Sequence, residues 1–184
     1  NGYLTGGDQA KLKAIVKNGI DYATECGMYV LVDWHVHNYN PQETKAEAKT
    51  FLSEIAAEYA NYDNVLYEIC NEPTGSPWAS SIKPYAEEVI PEIRKYAKDA
   101  LIIVGTNTWS QDVEEALASP LDAAVYGNVM YTFHFYAHTH TDAMRAKLEN
   151  AIKLGLPVFI TEFGTCDASG NGGYDEYQTL QWFN

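Results

Sequence analysis

The sequence predicts an α/β fold made of parallel strand–helix units, and three observations support this prediction. Five short apolar runs, rich in β-branched and aromatic residues, alternate with segments whose apolar residues recur at helical spacing. This alternation predicts parallel pairing through right-handed crossovers. The runs contain few polar residues, as expected of a sheet that is buried on both faces. An open doubly wound sheet and part of an eight-stranded barrel both satisfy these observations.

The predicted elements follow one another in a regular order. Asp8 is a suitable N-cap for the first helix, and Gly27 ends that helix. The predicted helices span residues 8–26, 43–61, 81–98, 111–117, 141–154 and 174–184. The predicted strands span residues 29–35, 64–72, 101–104, 129–135 and 157–162. Because Pro73 cannot donate a hydrogen bond to a sheet, the second strand should stop at about Asn71-Glu72.

Length and composition are those of a single globular domain over residues 1–184, with 46% hydrophobic and 20% charged residues. The net charge of −13 repels phosphate backbones and anionic membranes, which argues against nucleic-acid and membrane partners. No 18-residue apolar stretch predicts a membrane span. The three cysteines form no CxxC or zinc-type cluster, and no GxGxxG or GxxxxGK(S/T) motif follows a predicted strand. We therefore expect no metal and no cofactor.

Four of the predicted strands end in side chains that can react or form hydrogen bonds. These are Asp33 and His35, Asn71 and Glu72, His134 and Tyr136, and Glu162. In a parallel barrel such ends lie at one rim, where the active sites of that fold are built. Residues two apart share a face of a strand. The sets that share a face are Leu31, Asp33 and His35; Thr132, His134 and Tyr136; and Val158, Ile160 and Glu162.

Two glutamates at separate strand ends suit glycoside hydrolysis. One carboxyl group must stay protonated to donate to the leaving oxygen, and the other must be ionised to attack the sugar carbon. Glu72 and Glu162 are the candidates for these two roles.

Five short motifs accompany these glutamates along the chain. They are Asp33-Trp34-His35, Asn71-Glu72-Pro73, the segment from Thr106 to Asp112, His134-Phe135-Tyr136, and Thr161-Glu162-Phe163-Gly164. In sequence and in order they resemble glycoside hydrolase family 5, most closely its bacterial endo-β-1,4-glucanases, or cellulases. The resemblance extends over nearly the whole chain, from the first predicted helix to the last.

The resemblance implies a retaining, endo-acting hydrolase of β-1,4-linked glucan, with Glu72 as general acid/base and Glu162 as nucleophile. The two carboxyl groups should then lie about 5 Å apart. The implied substrate-binding residues are His35, Asn71, Trp109, His134 and Tyr136. The implied partner is a β-glucan polysaccharide or oligosaccharide, and the implied location is outside the cell.

Individual roles follow from the same resemblance. Asn71 would hydrogen-bond the 2-hydroxyl of the reacting sugar, and Tyr136 would hold and orient Glu162. His35 and His134 would line the same subsite. Trp109 would be a sugar platform, because the C–H faces of pyranose rings pack on aromatic rings.

Members of this family are TIM-barrel-type (β/α)8 proteins with eight strands, and the chain matches the third to the seventh. The first two strands would then precede Asn1, and the eighth would follow Asn184. A five-stranded partial barrel has two edges with unpaired backbone groups, which favour aggregation. We therefore expect the 184 residues alone to be unstable or to form a homo-oligomer that covers these edges.

Other functions remain open on the sequence. Two groups of histidines, His35-Val36-His37 and His134 with His138-Thr139-His140, could supply metal ligands, as in barrel amidohydrolases that use zinc-activated water. This alternative leaves Asn71-Glu72-Pro73 without a role. A carbohydrate-binding remnant would keep affinity for sugar and lack turnover. Mannan, xylan and mixed-linkage glucan are alternative substrates, because the substrate is selected by subsite loops.

Several residues near the motifs favour structural roles. Glu68 shares the face of Glu72 one layer deeper, which predicts a buried and hydrogen-bonded carboxylate. Cys70 is expected to be a small buried hydrophobic residue and not a nucleophile. Trp78 fits a sugar contact and loop packing equally well. The loop over residues 167–173 could form part of the rim or serve only as a connection.

Overall fold

A computed structural model describes residues 2–184 as a five-stranded parallel sheet with helices packed around it. The strands are β1 (Val30–Asp33), β2 (Val65–Glu68), β3 (Ile102–Val104), β4 (Val129–Tyr136) and β5 (Val158–Gly164). They lie side by side in sequence order, and each neighbouring pair is parallel. This order is that of a (β/α) barrel, because a doubly wound sheet reverses direction at a switch point. The predicted partial barrel with five strands is confirmed.

The helices of the described chain agree in large part with the sequence pattern. They are α1 (Gln9–Glu25), α2 (Lys45–Glu58), α3 (Lys83–Arg94), α4 (Asn107–Ser110), α5 (Val113–Ala118), α6 (Ala123–Tyr126), α7 (Asp142–Lys153) and α8 (Glu176–Phe183). Asp8 caps α1 as predicted, since its side chain accepts a hydrogen bond from the Lys11 amide at 3.1 Å. None of the helices within residues 2–184 is long and apolar enough to cross a membrane.

Several boundaries differ from the prediction. The helix expected over residues 81–98 begins as a π-helical turn at Trp78–Ile82 and ends as α3 at Arg94. The helix expected from residue 43 is preceded by a 3₁₀ turn at Pro41–Thr44. The short helices α4 and α6 have no counterpart in the prediction, because elements of four residues carry too little periodicity to be recognised.

The second strand is also shorter than predicted. β2 ends at Glu68, where its pairing with β3 ends, and the expected strand residues up to Glu72 lie beyond it. Glu72 pairs instead with the segment after β1, through an isolated parallel bridge with His37. The chain therefore reaches Glu72 along an irregular extension of the strand.

The core lies between the sheet and the helices and includes several aromatic side chains. Trp34, Phe133 and Phe135 are buried, and Phe135 stacks on Trp182 of α8 with ring centroids 3.9 Å apart. Trp78 is 1% exposed and donates its indole N–H to the Ser119 carbonyl at 2.8 Å, so its role is packing and not a sugar contact.

Cys70 is fully buried, as predicted. Burial also raises the pKa of its thiol. Cys70 is therefore a small core residue, because the reactive thiolate is suppressed there.

Gly105 stands where the ends of β2 and β3 approach each other closely. A Cβ at this position would lie 2.0 Å from the carbonyl oxygen of Cys70 and 3.0 Å from that of Asn71. We expect Gly105→Ala to lower the free energy of unfolding by about 3 kcal/mol, because backbone atoms beside the site would have to move. Denaturant titration measures this change.

The matched control for Gly105→Ala is Gly19→Ala, inside α1. Apart from its chain neighbours and the backbone of α1, no heavy atom of residues 2–184 lies within 4 Å of a Cβ added at Gly19. This substitution should therefore stabilise the chain by up to about 1 kcal/mol. Equal losses of stability in the two variants would contradict the close packing at Gly105.

The sheet has two edge strands, β1 and β5, and we expect copies of the 184-residue chain to associate through them. Apolar side chains are exposed beside β5, at Ile160, Phe163 and Phe183. We expect size-exclusion chromatography to show an oligomer, because unpaired strand edges and apolar patches both favour contact between copies. Phe163→Lys should reduce this association. A cooperatively folding monomer in the unsubstituted chain would contradict the expectation.

Candidate active site

A cleft of about 590 Å³ opens at the carboxyl ends of the strands. Six of the seven predicted site residues line it: His35, Glu72, Trp109, His134, Tyr136 and Glu162. His35, Glu72 and Trp109 lie in the segments after β1, β2 and β3, whereas the other three lie on β4 and β5. Every strand therefore contributes to the cleft. The seventh, Asn71, is 3% exposed and does not line the cleft.

Glu72 is held in place by backbone hydrogen bonds to the segment after β1. Its amide donates to the Val36 carbonyl at 2.8 Å, and its own carbonyl accepts from the Asn38 amide at 3.3 Å. Its side chain is 12% exposed, with Oε1 2.9 Å from His134 Nδ1 and Oε2 3.7 Å from His37 Nε2. Two imidazoles therefore flank this carboxyl group, and one of them is close enough to share a proton with it.

Glu162 projects from β5 opposite His134, its register partner on β4. The Tyr136 hydroxyl donates a hydrogen bond to Glu162 Oε1. Burial, followed by this hydrogen bond, raises the pKa of Tyr136, so the phenol stays protonated and continues to donate. Carboxylate oxygens of Glu162 and Glu72 lie within 4.8 Å of each other. A sugar carbon held beside Glu162 would then be within reach of both groups.

Asp33 orients His35, which in turn contacts Asn71. His35 Nδ1 lies 2.7 Å from Asp33 Oδ2, and His35 Nε2 lies 3.5 Å from the amide nitrogen of Asn71. Burial raises the pKa of Asp33, and the hydrogen bond to Asp33 raises the pKa of His35. Asn71 is thus placed beside a cleft residue, although its own side chain is covered.

Trp109 lies on a stretch of unusual backbone. Thr108, Trp109 and Ser110 have positive φ angles of 56°, 53° and 57°. Each such conformation costs a non-glycine residue about 1–2 kcal/mol, so surrounding contacts must stabilise it. The Trp109 amide donates to the Pro73 carbonyl at 3.2 Å, and its indole N–H donates to Asn38 Oδ1 at 2.6 Å. The indole is 42% exposed, which leaves a ring face accessible to a ligand.

Behind the cleft, Glu68 joins three strands through hydroxyl groups. It is 3% exposed, and its Oε1 accepts hydrogen bonds from Thr132 at 2.6 Å and from Thr161 at 2.7 Å. Thr161 also lies 2.9 Å from His134 Nε2. Burial, followed by the charge of Asp33, raises the pKa of Glu68 to about 7. The prediction of a buried, hydrogen-bonded carboxylate at Glu68 is confirmed.

The position of Thr161 corrects the predicted alternation along β5. The sequence places Ile160 and Glu162 on one face and Thr161 on the other. Between Thr132 and His134, however, the register of β4 and β5 shifts. This β-bulge turns Thr161 as well as Glu162 toward the site and leaves Ile160 36% exposed. Sequence reasoning missed Thr161 because no residue of β5 marks the bulge.

Glu72, His134 and Glu162 bring three potential metal-ligating side chains together. Within residues 2–184 they form the one group whose ligand atoms all lie within 4.8 Å of one another. Both nitrogens of His134 are occupied by the hydrogen bonds described above, which account for this proximity. Of the histidines in the amidohydrolase hypothesis, His134 belongs to this group, whereas His35 and His37, whose ring centroids lie 6.4 Å apart, do not.

Further residues line the cleft that were not among the predicted catalytic or substrate-binding residues. They are His37, Asn38, Gln111, His140 and residues 168–170. His140 Nδ1 accepts a hydrogen bond from the Tyr136 amide at 2.8 Å, and burial lowers the pKa of His140, so its imidazole is neutral. The loop over residues 167–173 therefore belongs to the rim. Its polar, glycine-rich composition is the only signal for this in the sequence.

The fold and the cleft define a class of protein: a partial (β/α) barrel of the glycosidase type, with paired carboxylates at the carboxyl ends of its strands. The family model for cellulase, glycosyl hydrolase family 5, matches residues 1–184. The chain belongs to this family, as its motifs predict.

Curated relatives of the chain are endoglucanases. An endoglucanase from Clostridium saccharobutylicum is 48% identical over 185 residues, which cover 98% of this chain and 40% of the relative. Endoglucanase A from Butyrivibrio fibrisolvens is 45% identical over 187 residues, which cover 100% of this chain and 42% of the relative. The chain thus spans about 40% of the length of these two relatives.

Solved structures agree with this assignment. The catalytic domain of endoglucanase Cel5A from Thermobifida fusca matches with a TM-score of 0.92 and 44% identity, over 99% of this chain and 60% of that domain. A variant of the same domain in complex with cellotetraose matches with a TM-score of 0.92 and 43% identity, with the same coverage.

Proposed function

We propose that this chain carries the catalytic pair of a retaining endo-β-1,4-glucanase that cleaves cellulose-type glucan by double displacement. Glu72 is the general acid/base, and Glu162 is the nucleophile. The observation that carries this proposal is the approach of the two carboxyl groups to within 4.8 Å in different surroundings. Glu72 contacts an imidazole that can share a proton, whereas Glu162 accepts a hydrogen bond from a phenol.

The reaction has two steps with balanced proton transfers. In the first, Glu72 donates its proton to the glycosidic oxygen, the bond to the leaving sugar breaks, and a Glu162 oxygen bonds to the anomeric carbon. In the second, ionised Glu72 takes a proton from water, whose oxygen attacks the same carbon and releases Glu162. The two displacements restore the original configuration. Inverting enzymes keep their carboxyl groups about 6.5–9.5 Å apart to admit a water. Here one oxygen of Glu72 and one of Glu162 lie within 4.8 Å of each other, which favours the retaining arrangement.

Neighbouring residues support the pair. Tyr136 holds one Glu162 oxygen and leaves the other free to attack. Trp109 stacks on a sugar through its exposed indole face, because pyranose C–H groups pack well on aromatic rings. His35 and His134 line the subsite of the reacting sugar. Asn71, whose side chain is covered behind His35, turns its amide edge toward the reacting sugar and binds the 2-hydroxyl once substrate is bound, an interaction that strengthens in the transition state.

The substrate class is a neutral β-glucan. Endo action and β-1,4 specificity rest on the endoglucanase relatives and on the cellotetraose complex of the Thermobifida fusca domain. The net charge of −13 suits an uncharged polysaccharide better than an anionic one. Because polymeric cellulose does not enter cells, we place the activity outside the cell.

The stereochemistry of hydrolysis tests this function. We expect ¹H NMR of cello-oligosaccharide hydrolysis by the 184-residue chain to show the β-anomer first, before mutarotation. The α-anomer as first product would contradict double displacement. Binding of cellotetraose with no hydrolysis would favour the carbohydrate-binding remnant. Faster hydrolysis of mannan, xylan or mixed-linkage glucan would reassign the substrate.

A further inference from the structure

Glu68, Thr161 and His134 form a continuous hydrogen-bonded chain that ends on Glu72. Thr161 Oγ1 lies 2.7 Å from Glu68 Oε1 and 2.9 Å from His134 Nε2, and His134 Nδ1 lies 2.9 Å from Glu72 Oε1. Glu68 and His134 are only 3% and 1% exposed, so bulk water does not compete for these bonds. No step of the proposed mechanism uses Glu68 or Thr161.

Counting protons determines the direction of each bond in this chain. Glu68 Oε1 accepts from the hydroxyl groups of Thr132 and Thr161, and each hydroxyl has one hydrogen to donate. Since the Thr161 hydrogen points to Glu68, its oxygen can only accept from His134. This holds when Glu68 is ionised or carries a proton on its other oxygen, whereas a proton on Oε1 would reverse the bond to Thr161. With Oε1 accepting from both hydroxyl groups, as the structure has it, His134 Nε2 carries a hydrogen.

The tautomer of His134 then constrains Glu72. In a neutral imidazole with its hydrogen on Nε2, Nδ1 presents only a lone pair. A contact of 2.9 Å between this lone pair and a carboxyl oxygen requires one proton between the two atoms. We propose that Thr161, together with Glu68, is a positioning residue that fixes the Nε2–H tautomer of His134 and thereby keeps a proton between His134 and Glu72. The catalytic consequence rests on the proposed role of Glu72 as general acid.

The fixed tautomer favours the form of the site in which a proton lies between His134 and Glu72. Loss of the shared proton would leave the Nδ1 lone pair facing an ionised Glu72, which is unfavourable. With the other tautomer, Nδ1–H would donate to ionised Glu72 and stabilise it. Thr161 therefore acts on Glu72 through His134. It opposes loss of the proton that Glu72 must donate to the leaving sugar.

Other ionisable groups act on the pair from neighbouring segments without selecting the tautomer. Those that face Glu72 are His35, His37, Tyr136, His140 and Glu162. Those that face His134 from β1 and β2 are Asp33 and Glu68. Within residues 2–184, the hydrogen-bond partner of His134 Nε2 is Thr161, so Thr161 is the residue to change.

Long-range ¹H–¹⁵N correlation spectra of the 184-residue chain test the tautomer directly, without any substrate. They distinguish a ring nitrogen that carries hydrogen from one that does not. We expect His134, identified by the loss of its signals in His134→Asn, to carry hydrogen on Nε2. A neutral His134 with hydrogen on Nδ1 in the unsubstituted chain would overturn the proposal, and this result needs no variant to fold.

Three substitutions separate the relay from general packing. Thr161→Val removes the hydroxyl at nearly constant shape and should move the hydrogen of His134 to Nδ1. Thr161→Ser keeps the hydroxyl and should restore Nε2–H. The matched control is Thr132→Val, because Thr132 donates to the same Glu68 oxygen from the other side and should leave His134 unchanged. A shift in Thr132→Val as large as in Thr161→Val would overturn the proposal.

The catalytic consequence has its own measurement. In Thr161→Val, the alkaline limb of kcat/KM on cello-oligosaccharides should move to lower pH by about one unit. The limb for 2,4-dinitrophenyl cellobioside should stay in place, because this leaving group departs without a proton. Equal shifts on both substrates would overturn the proposal. Absence of hydrolysis in the unsubstituted chain would contradict the proposed function instead, and the tautomer would still be decided by the spectra.

Discussion

Glu162→Gln should lower kcat/KM on carboxymethyl-cellulose by about 10⁴-fold or more, because a carboxamide cannot form the glycosyl ester. The substitution keeps the shape of the side chain, and its amide oxygen can still accept the hydrogen bond from Tyr136. Release of reducing sugar by the 184-residue chain measures the loss. Activity within about ten-fold of the unsubstituted chain would exclude Glu162 as nucleophile.

The matched control is Glu149→Gln, on the surface of α7. Glu149 is exposed, and its ion-pair partner within residues 2–184 is Lys153, at 3.0 Å. Its substitution should leave activity within about two-fold. A second measurement adds azide to Glu162→Ala, where attack by azide in the vacated space should yield the α-glycosyl azide. The β-azide from this variant would contradict the assignment.

Glu72→Ala should lower kcat/KM on cello-oligosaccharides by roughly 10²–10⁴-fold, the usual contribution of a general acid. The first step on 2,4-dinitrophenyl cellobioside should be nearly unchanged, because dinitrophenolate leaves without protonation. A burst of dinitrophenolate followed by slow turnover is therefore expected, since Glu72 is also needed to activate water for the second step.

The control for this substitution is Glu54→Ala, on the exposed face of α2. Glu54 forms an ion pair with Lys13 far from the cleft and should affect neither substrate. Equal losses on both substrates in Glu72→Ala would contradict the acid role and would indicate that Glu72 matters for structure alone.

Much of the fold could be predicted because its elements are long and strongly periodic. The bounds of α1, α7 and α8 agree with the sequence pattern to within two residues. Strand alternation also predicted the shared face of Thr132, His134 and Tyr136, all of which hydrogen-bond toward the site. The prediction was least accurate for short elements such as α4. Contacts with distant segments stabilise such elements, and their sequences are too short to show a periodic pattern.

The site was predictable to the extent that a parallel sheet gathers its strand ends. Glu72 and Glu162 are 90 positions apart in the chain but meet within 4.8 Å, as the parallel order requires. The bulge in β5 and the left-handed backbone at Trp109 were not predictable. Each depends on contacts with distant segments, and Trp109 is held by hydrogen bonds to Asn38 and Pro73.

The sequence by itself predicted the class of fold, the family and the two glutamates proposed as the catalytic pair, because periodicity and short motifs are local properties. Only the tertiary structure decided which side chains these two carboxyl groups contact. The hydrogen bonds from Glu68 through Thr161 to His134 connect β2, β5 and β4. The bulge in β5 places Thr161 between the other two side chains. Hydrogen bonds depend on distances between side chains from separate strands, and no local pattern encodes such distances.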